Sequence, residues 1–180
     1  MANWYYLAAQ LPAIPSGSDR APPLSGEAFL ELCSRFLDKK SMDILRSLSL
    51  EPPVKPLKTG SRVVDSWNEM ENSLRLALAA LRAQKLNKTF DGLAASIRPE
   101  ALQAARTAMG LDNPLAAEQF LNDFREGCID RIAGHGTFST ETMYAYALKL
   151  KMLIRIRKFN EEAGAASYHK IYDHILGEAT

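Results

Sequence analysis

The chain has 180 residues, enough for one sizeable core or two small helical lobes. Lys and Arg total 22 against 21 for Asp and Glu, a net charge of +1, which excludes any bulk electrostatic drive toward nucleic acid or anionic lipid. No stretch approaches the ~18–20 apolar residues that a membrane-spanning helix needs.

Taken in chain order, the apolar run Trp4 to Leu11 is too short for periodicity to separate a buried strand from a helical turn. It lacks a basic leader and runs into Pro12 and Pro15, so it is expected to belong to the fold rather than to a signal peptide. Residues 12–23 carry four prolines and read as a loop. Ser25 then suits an N-cap, and Phe29, Leu30, Cys33, Phe36 and Leu37 recur at helical steps. A short helix capped by Ser41 follows, with Ile44, Leu45 and Leu48 inward. Residues 51–56, with Pro52, Pro53 and Pro56, end it as a stiff linker and the one candidate lobe boundary, near 51–61.

A long helix is expected over about 62–86. Trp67, Met70, Leu74, Ala77 and Leu81 step by 3, 4, 3 and 4 along it. That seam covers only about two heptads, so it reads either as one face of a bundle or as a docking seam for a partner helix. Pro99 and Asn113-Pro114 open two further helices, because a proline at the first helical position forfeits no hydrogen bond. Leu115, Phe120, Leu121, Phe124, Cys128, Ile129 and Ile132 mark the inner face of the second, and Gly134-His135-Gly136 stops it. Ser139 or Thr140 caps a helix to about 160. A last short helix carries Tyr168, Ile171, Tyr172, Ile175 and Leu176. The expected fold class is all-α: six to seven helices in a bundle or as paired helical hairpins, in one domain spanning 1–180.

The helix after residue 139 is apolar on two sides. Met143, Tyr146, Ala147, Leu150, Leu153 and Ile154 form one face, and Leu148, Met152, Ile156 and Phe159 the other. Such a helix is normally held between neighbours. Lys151, Arg155 and Lys158 lie between the faces as a basic stripe, with Lys149 and Arg157 nearby. The stripe is either a solvated set of cations favoured near a helix C-terminus or a contact surface for an acidic partner.

Candidates for chemistry are sparse. His169 and Asp173 share a helix face, with His174 beside them, but three or four converging ligands make a metal site. His135 sits in a turn with no locatable acid or nucleophile partner. Gly134-His135-Gly136-Thr137 follows a helix and lacks the lysine of a phosphate loop. Acidic pairs such as Glu69/Glu71 and Glu161/Glu162 read as helix surface. Cys33 and Cys128 belong to no metal or redox motif; a single disulfide stays open, and a reducing, cytoplasmic setting is expected. Neither cofactor nor metal is expected, and the chain reads as a non-enzyme.

The opening Tyr5-Tyr6-Leu7-Ala8-Ala9-Gln10-Leu11-Pro12, with its proline-rich loop, resembles the start of an uncharacterised bacterial family. Members of that family typically begin Tyr-Tyr-Leu-Val-Ala, a small or polar residue, then Leu-Pro. The likeness continues through Ser25-Gly26-Glu27-Ala28-Phe29-Leu30 and a second helix with an Asp-x-x-Leu step. Asp43 matches that step, while Leu45 and Leu48 depart slightly from its register. The resemblance covers residues 5–50. The family is encoded in operons of V-type (A-type) rotary ATPases, where other operons encode the subunit joining the central stalk to the membrane ring. A faint second likeness to that stalk-to-ring C/d subunit lies in Ile154-Arg155-Ile156 and Lys158.

The resemblance implies a non-catalytic helical subunit, cytoplasmic and peripheral to the membrane through the ATPase. Its partners would be stalk or ring subunits, contacted through Lys151, Arg155, Lys158, Trp4 and Tyr5. The alternatives are a free-standing adaptor using the Trp67–Leu81 seam, and a helical metal enzyme using His169, Asp173, His174 and His135.

Overall fold

The computed structural model describes residues 4–15, 21–53, 55–90, 96–134, 139–157 and 170–172. They are all-helical, with no strand among them. Seven α-helices succeed one another: α1 (Trp4–Gln10), α2 (Gly26–Ser34), α3 (Lys39–Ser47), α4 (Arg62–Lys85), α5 (Pro99–Met109), α6 (Pro114–Ala133) and α7 (Thr140–Arg157). A further helical turn spans 170–172. None of the described helices is long and apolar enough to cross a membrane.

Local chemistry sets most of the boundaries. Ser25, Ser61 and Asn113 accept backbone N–H bonds at the starts of α2, α4 and α6, and Pro99 and Pro114 occupy first-turn positions. Ser139 accepts from the backbone N–H of Thr142 and caps α7. Gly134 ends α6 at φ +67°, a left-handed conformation that costs glycine nothing. Two expectations change. The ambiguous N-terminal run is helical. And α3 starts earlier than expected, because Asp38, not Ser41, is its cap: the Asp38 carboxylate accepts from the Ser41 backbone N–H.

Side-chain contacts fix the directions of the long helices. Glu141, in the first turn of α7, accepts from Ser61 Oγ and Val63 N at the start of α4, at 2.9 and 2.7 Å. The helices α4 and α7 therefore start together, and both run opposite to α6: Lys149 and Arg155 of α7 pair with Asp130 and Glu118 of α6, while Gly134 at the α6 end lies near Arg62 at the α4 start. The Arg98 backbone N–H, at the start of α5, donates to Ser73 Oγ halfway along α4. Lys85 and Arg106, near the ends of α4 and α5, line one cleft. So α5 is also parallel to α4, and among these four long helices only α6 runs the other way, with Gly134 near Arg62 and Arg125 against Glu71.

Two apolar clusters result. One joins α1, α2, α3 and α7 to the N-terminal half of α4 and the C-terminal half of α6; Trp67, Tyr144, Leu148 and Ile129 are at its centre. The other joins α5 to the opposite halves of α4 and α6, through Leu74, Ala77, Leu78, Leu121 and the α5 alanines 101, 104, 105 and 108. The proline stretch does not divide them. Pro52 is buried, the Pro53 carbonyl accepts from Asn72 Nδ2, and the nearby Ser49 carbonyl accepts from Trp67 Nε1. That stretch packs along α4, and the clusters meet across the middle of α4 and α6.

Candidate interaction site

Between the two clusters lies a polar layer. Glu71, 1 % exposed, accepts a two-pronged pair of bonds from Arg125, 7 % exposed, at 2.9 and 3.1 Å. Arg75 pairs with Glu71 at 3.5 Å and with Glu51 at 3.3 Å. Arg125 also approaches Glu118 at 3.7 Å and donates to Asn122 Oδ1. Glu118 in turn pairs with Arg155 of α7. Charges of alternating sign thus run from Glu51 through Arg75, Glu71, Arg125 and Glu118 to Arg155, tying four segments together. The expectation that Glu71 lies on a helix surface is wrong; Glu69 is exposed and pairs with Lys58 and Arg98.

This network changes the meaning of the α7 stripe. Arg155 is three-quarters buried and paired within the chain. Lys151 Nζ donates to the Leu48 carbonyl, and Lys149 pairs with Asp130. Burial lowers the Lys151 pKa below the ordinary lysine value. Arg157 is exposed. Lys158 lies outside the described residues. Trp4 and Tyr5 sit in the first turn of α1, but their side chains lie outside the described ones. Of the five expected contact residues, only Lys151 therefore lines a described cavity.

That cavity is a groove of about 500 Å³ between α2, α3 and α7. Phe29, Leu30, Leu45, Ala147, Leu150 and Ile154 give it an apolar wall, and Ser25, Glu27 and Lys151 a polar rim. At its edge, a Cβ on Gly26 would meet only Ile154 Cδ1, at 4.0 Å, an ordinary contact. One side is closed by the stacked rings of Phe29 and Tyr146, 5.4 Å apart. The Tyr146 hydroxyl donates to the Pro12 carbonyl at 2.8 Å. Beyond that stack a second cleft, of about 350 Å³, lies between the α1 end and α7, lined by Ala8, Leu11, Ile14, Met143 and Lys149 among others. The segment carrying the Tyr5–Pro12 opening and α2 thus borders both hollows on one face of α7.

An apolar trough with a small charged rim is suited to side chains from a helix or extended segment. The α4 seam loses ground. Trp67, Met70, Leu74 and Ala77 are buried in the chain itself, so the seam on α4 is core and not a docking edge. No group of three His, Cys, Asp or Glu among the described residues is placed to hold a metal. His135, His169, Asp173, His174, Glu161 and Glu162 lie outside the described residues. Cys33 and Cys128 are buried free thiols, and burial raises the pKa of both, Cys33 to about 12.

Sequence reasoning missed the groove because no single helix reveals it: it exists only where α2, α3 and α7 come together. No protein-family model, curated protein or solved structure matches the chain.

Proposed function

We propose that this chain is a non-catalytic helical subunit that works by holding other proteins, and that its complex is a V-type (A-type) rotary ATPase. The observation that carries the protein-binding part is the apolar groove between α2 and α7, with Lys151 and Glu27 on its rim. What supports the assignment to a rotary ATPase is the resemblance over residues 5–50, whose segments build α1, α2 and α3 beside that groove. The subunit would join stalk to ring by rigid packing, its own charges being used to hold its helices together.

The test is purification of the ATPase from cells carrying a tagged chain, under conditions that keep rotary ATPases intact. Co-elution with the soluble sector or the ring is expected, together with at least a tenfold loss in a Leu30→Glu variant that keeps its melting transition. A chain that elutes as a monomer apart from both would refute the assignment. A second reading, an adaptor in some other complex, uses the same groove, because the α4 seam is buried. It is favoured if another stable complex elutes with the wild-type chain and is lost with Leu30→Glu.

A further inference from the structure

The helices α4 and α5 end side by side, and the turn after α4 is fixed. Asn87 takes a left-handed φ of +52°, the Lys88 N–H donates back to the Ala83 carbonyl at 2.9 Å, and the Asn87 N–H donates to the Gln84 carbonyl at 3.1 Å. These are the paired bonds that close a helix C-terminus. They hold Leu86 out of the core, 65 % exposed. Across a cleft of about 370 Å³ bordered by Gln84, Lys85 and Arg106, Leu111 follows the end of α5 and is 40 % exposed. Leu115, in the first turn of α6, is exposed as well. Single exposed leucines need no explanation, but three at one end of a molecule do.

Cations surround these leucines. Residues 81–90 and 106–115 contain Arg82, Lys85, Lys88 and Arg106 against a single acid, Asp112. All four cations are exposed, and none makes an ion pair or a side-chain hydrogen bond among the described residues. Elsewhere on the long helices Arg75, Arg125, Lys149 and Arg155 are paired with acids. The C-termini of α4 and α5, at about half a negative charge each, offset only part of this excess. We infer that this end of the molecule docks on an anionic lipid surface, the four cations at the headgroups and Leu86 and Leu111 entering the boundary with the acyl chains. Basic and apolar side chains acting together are what reversible attachment to a bilayer takes, and no acid lines the cleft to repel a phosphate. Nucleic acid fits less well, because half-buried Phe90 is the single aromatic in the two stretches and offers no stacking platform. An acidic protein would need hollows to take leucines that stand on separate turns, whereas a fluid acyl layer takes them as they are. The inference goes beyond the protein-holding reading and uses none of the residues of the α2–α7 groove.

The experiment measures co-sedimentation of the full chain, free of ATPase subunits, with phosphatidylcholine vesicles that contain or lack phosphatidylglycerol. Binding is expected only with phosphatidylglycerol, and it is expected to weaken as salt is raised. Lys85→Glu with Arg106→Glu is expected to lose more than about tenfold, since each basic residue near an anionic bilayer is worth about fivefold. Lys39→Glu with Lys40→Glu changes the net charge equally at the opposite pole, where the Ser41 carbonyl accepts from Tyr144 near the start of α7. That variant is expected to bind as the wild type does. Leu86→Ser with Leu111→Ser keeps every charge and is expected to weaken binding severalfold. Equal binding to vesicles without phosphatidylglycerol, or binding to neither, overturns the inference. An equal loss in the Lys39 and Lys40 variant would make the effect one of net charge, and no loss in the leucine variant would leave a bare cationic surface of the kind an acidic protein covers; either result also overturns it. All six substituted positions are exposed, so the melting transition is expected to be retained. The lipid and salt dependence of the unchanged chain gives a reading that needs no variant to fold.

Discussion

Glu71 sits on α4 between Met70 and Leu74, both buried, and its carboxylate is held by Arg125 across the gap to α6. Two charges in such a place repay their desolvation only as a pair. Glu71→Leu alone is therefore expected to cost about 3 kcal/mol, the lower end of the range for breaking a buried pair, because Glu118 remains near Arg125 at 3.7 Å. The double replacement Glu71→Leu with Arg125→Met is expected to recover most of that loss in thermal melts. If the double variant is no more stable than Glu71→Leu, the pair does more than cancel its own desolvation. The sequence did contain the signal for this layer. Trp67, Glu71, Leu74, Leu78 and Leu81 step by 4, 3, 4 and 3, and Leu121, Arg125 and Cys128 by 4 and 3. Each charge thus occupies a slot in an apolar stripe. What stayed illegible was the partner, 54 residues away, which only the packing of two helices supplies.

Caps and crossings decide how the rods are set. Four of the seven helix starts were readable from Ser25, Pro99, Asn113-Pro114 and Ser139, the last as one of two candidates with Thr140, because capping is local chemistry. The start of α3 was not, since Asp38 and Ser41 are both good caps and only the geometry chooses between them. The start of α4 is doubly secured. Glu141 reaches it from α7, while Asp65 accepts from Thr59 N, Thr59 Oγ1 and Gly60 N and so holds the preceding turn. Burial pushes the Asp65 carboxyl up, but these hydrogen bonds outweigh it and its pKa falls below the ordinary 3.8. A carboxyl depressed in the folded state lends stability that is complete above its unfolded pKa and disappears as pH falls through the lower folded value. The melting temperature of the wild type is thus expected to drop as pH is lowered from about 4. Asp65→Asn, less stable at pH 7, should lose less over that interval. Parallel pH curves for the two proteins would remove this role of Asp65.

Across the whole molecule, the two apolar clusters share α4 and α6 from end to end. Neither cluster can lose its helices without dismantling the other, so unfolding is expected as one cooperative transition, with calorimetric and van't Hoff enthalpies equal. Two resolved transitions would mean that the polar layer separates independently stable halves. The all-helical class and the double-sided burial of α7 were readable from apolar periodicity. The candidate groove was not, because it belongs to the meeting of three helices that are far apart in the sequence.

The parallel course of α4, α5 and α7 has an electrical consequence. Peptide dipoles in the three helices add instead of cancelling, with α6 alone opposed, so one pole of the protein gathers three sets of helix-terminal carbonyls. The last turns at that pole hold Arg82 and Lys85 on α4, Arg106 on α5, and Arg155 and Arg157 on α7. Each helix C-terminus carries about half a negative charge, so cations in these last turns are favourably placed. Two arginines of a run that looks like a lure for an acidic visitor, Arg155 and Arg157, thus also answer the chain's own backbone, beside the pair that Arg155 makes with Glu118.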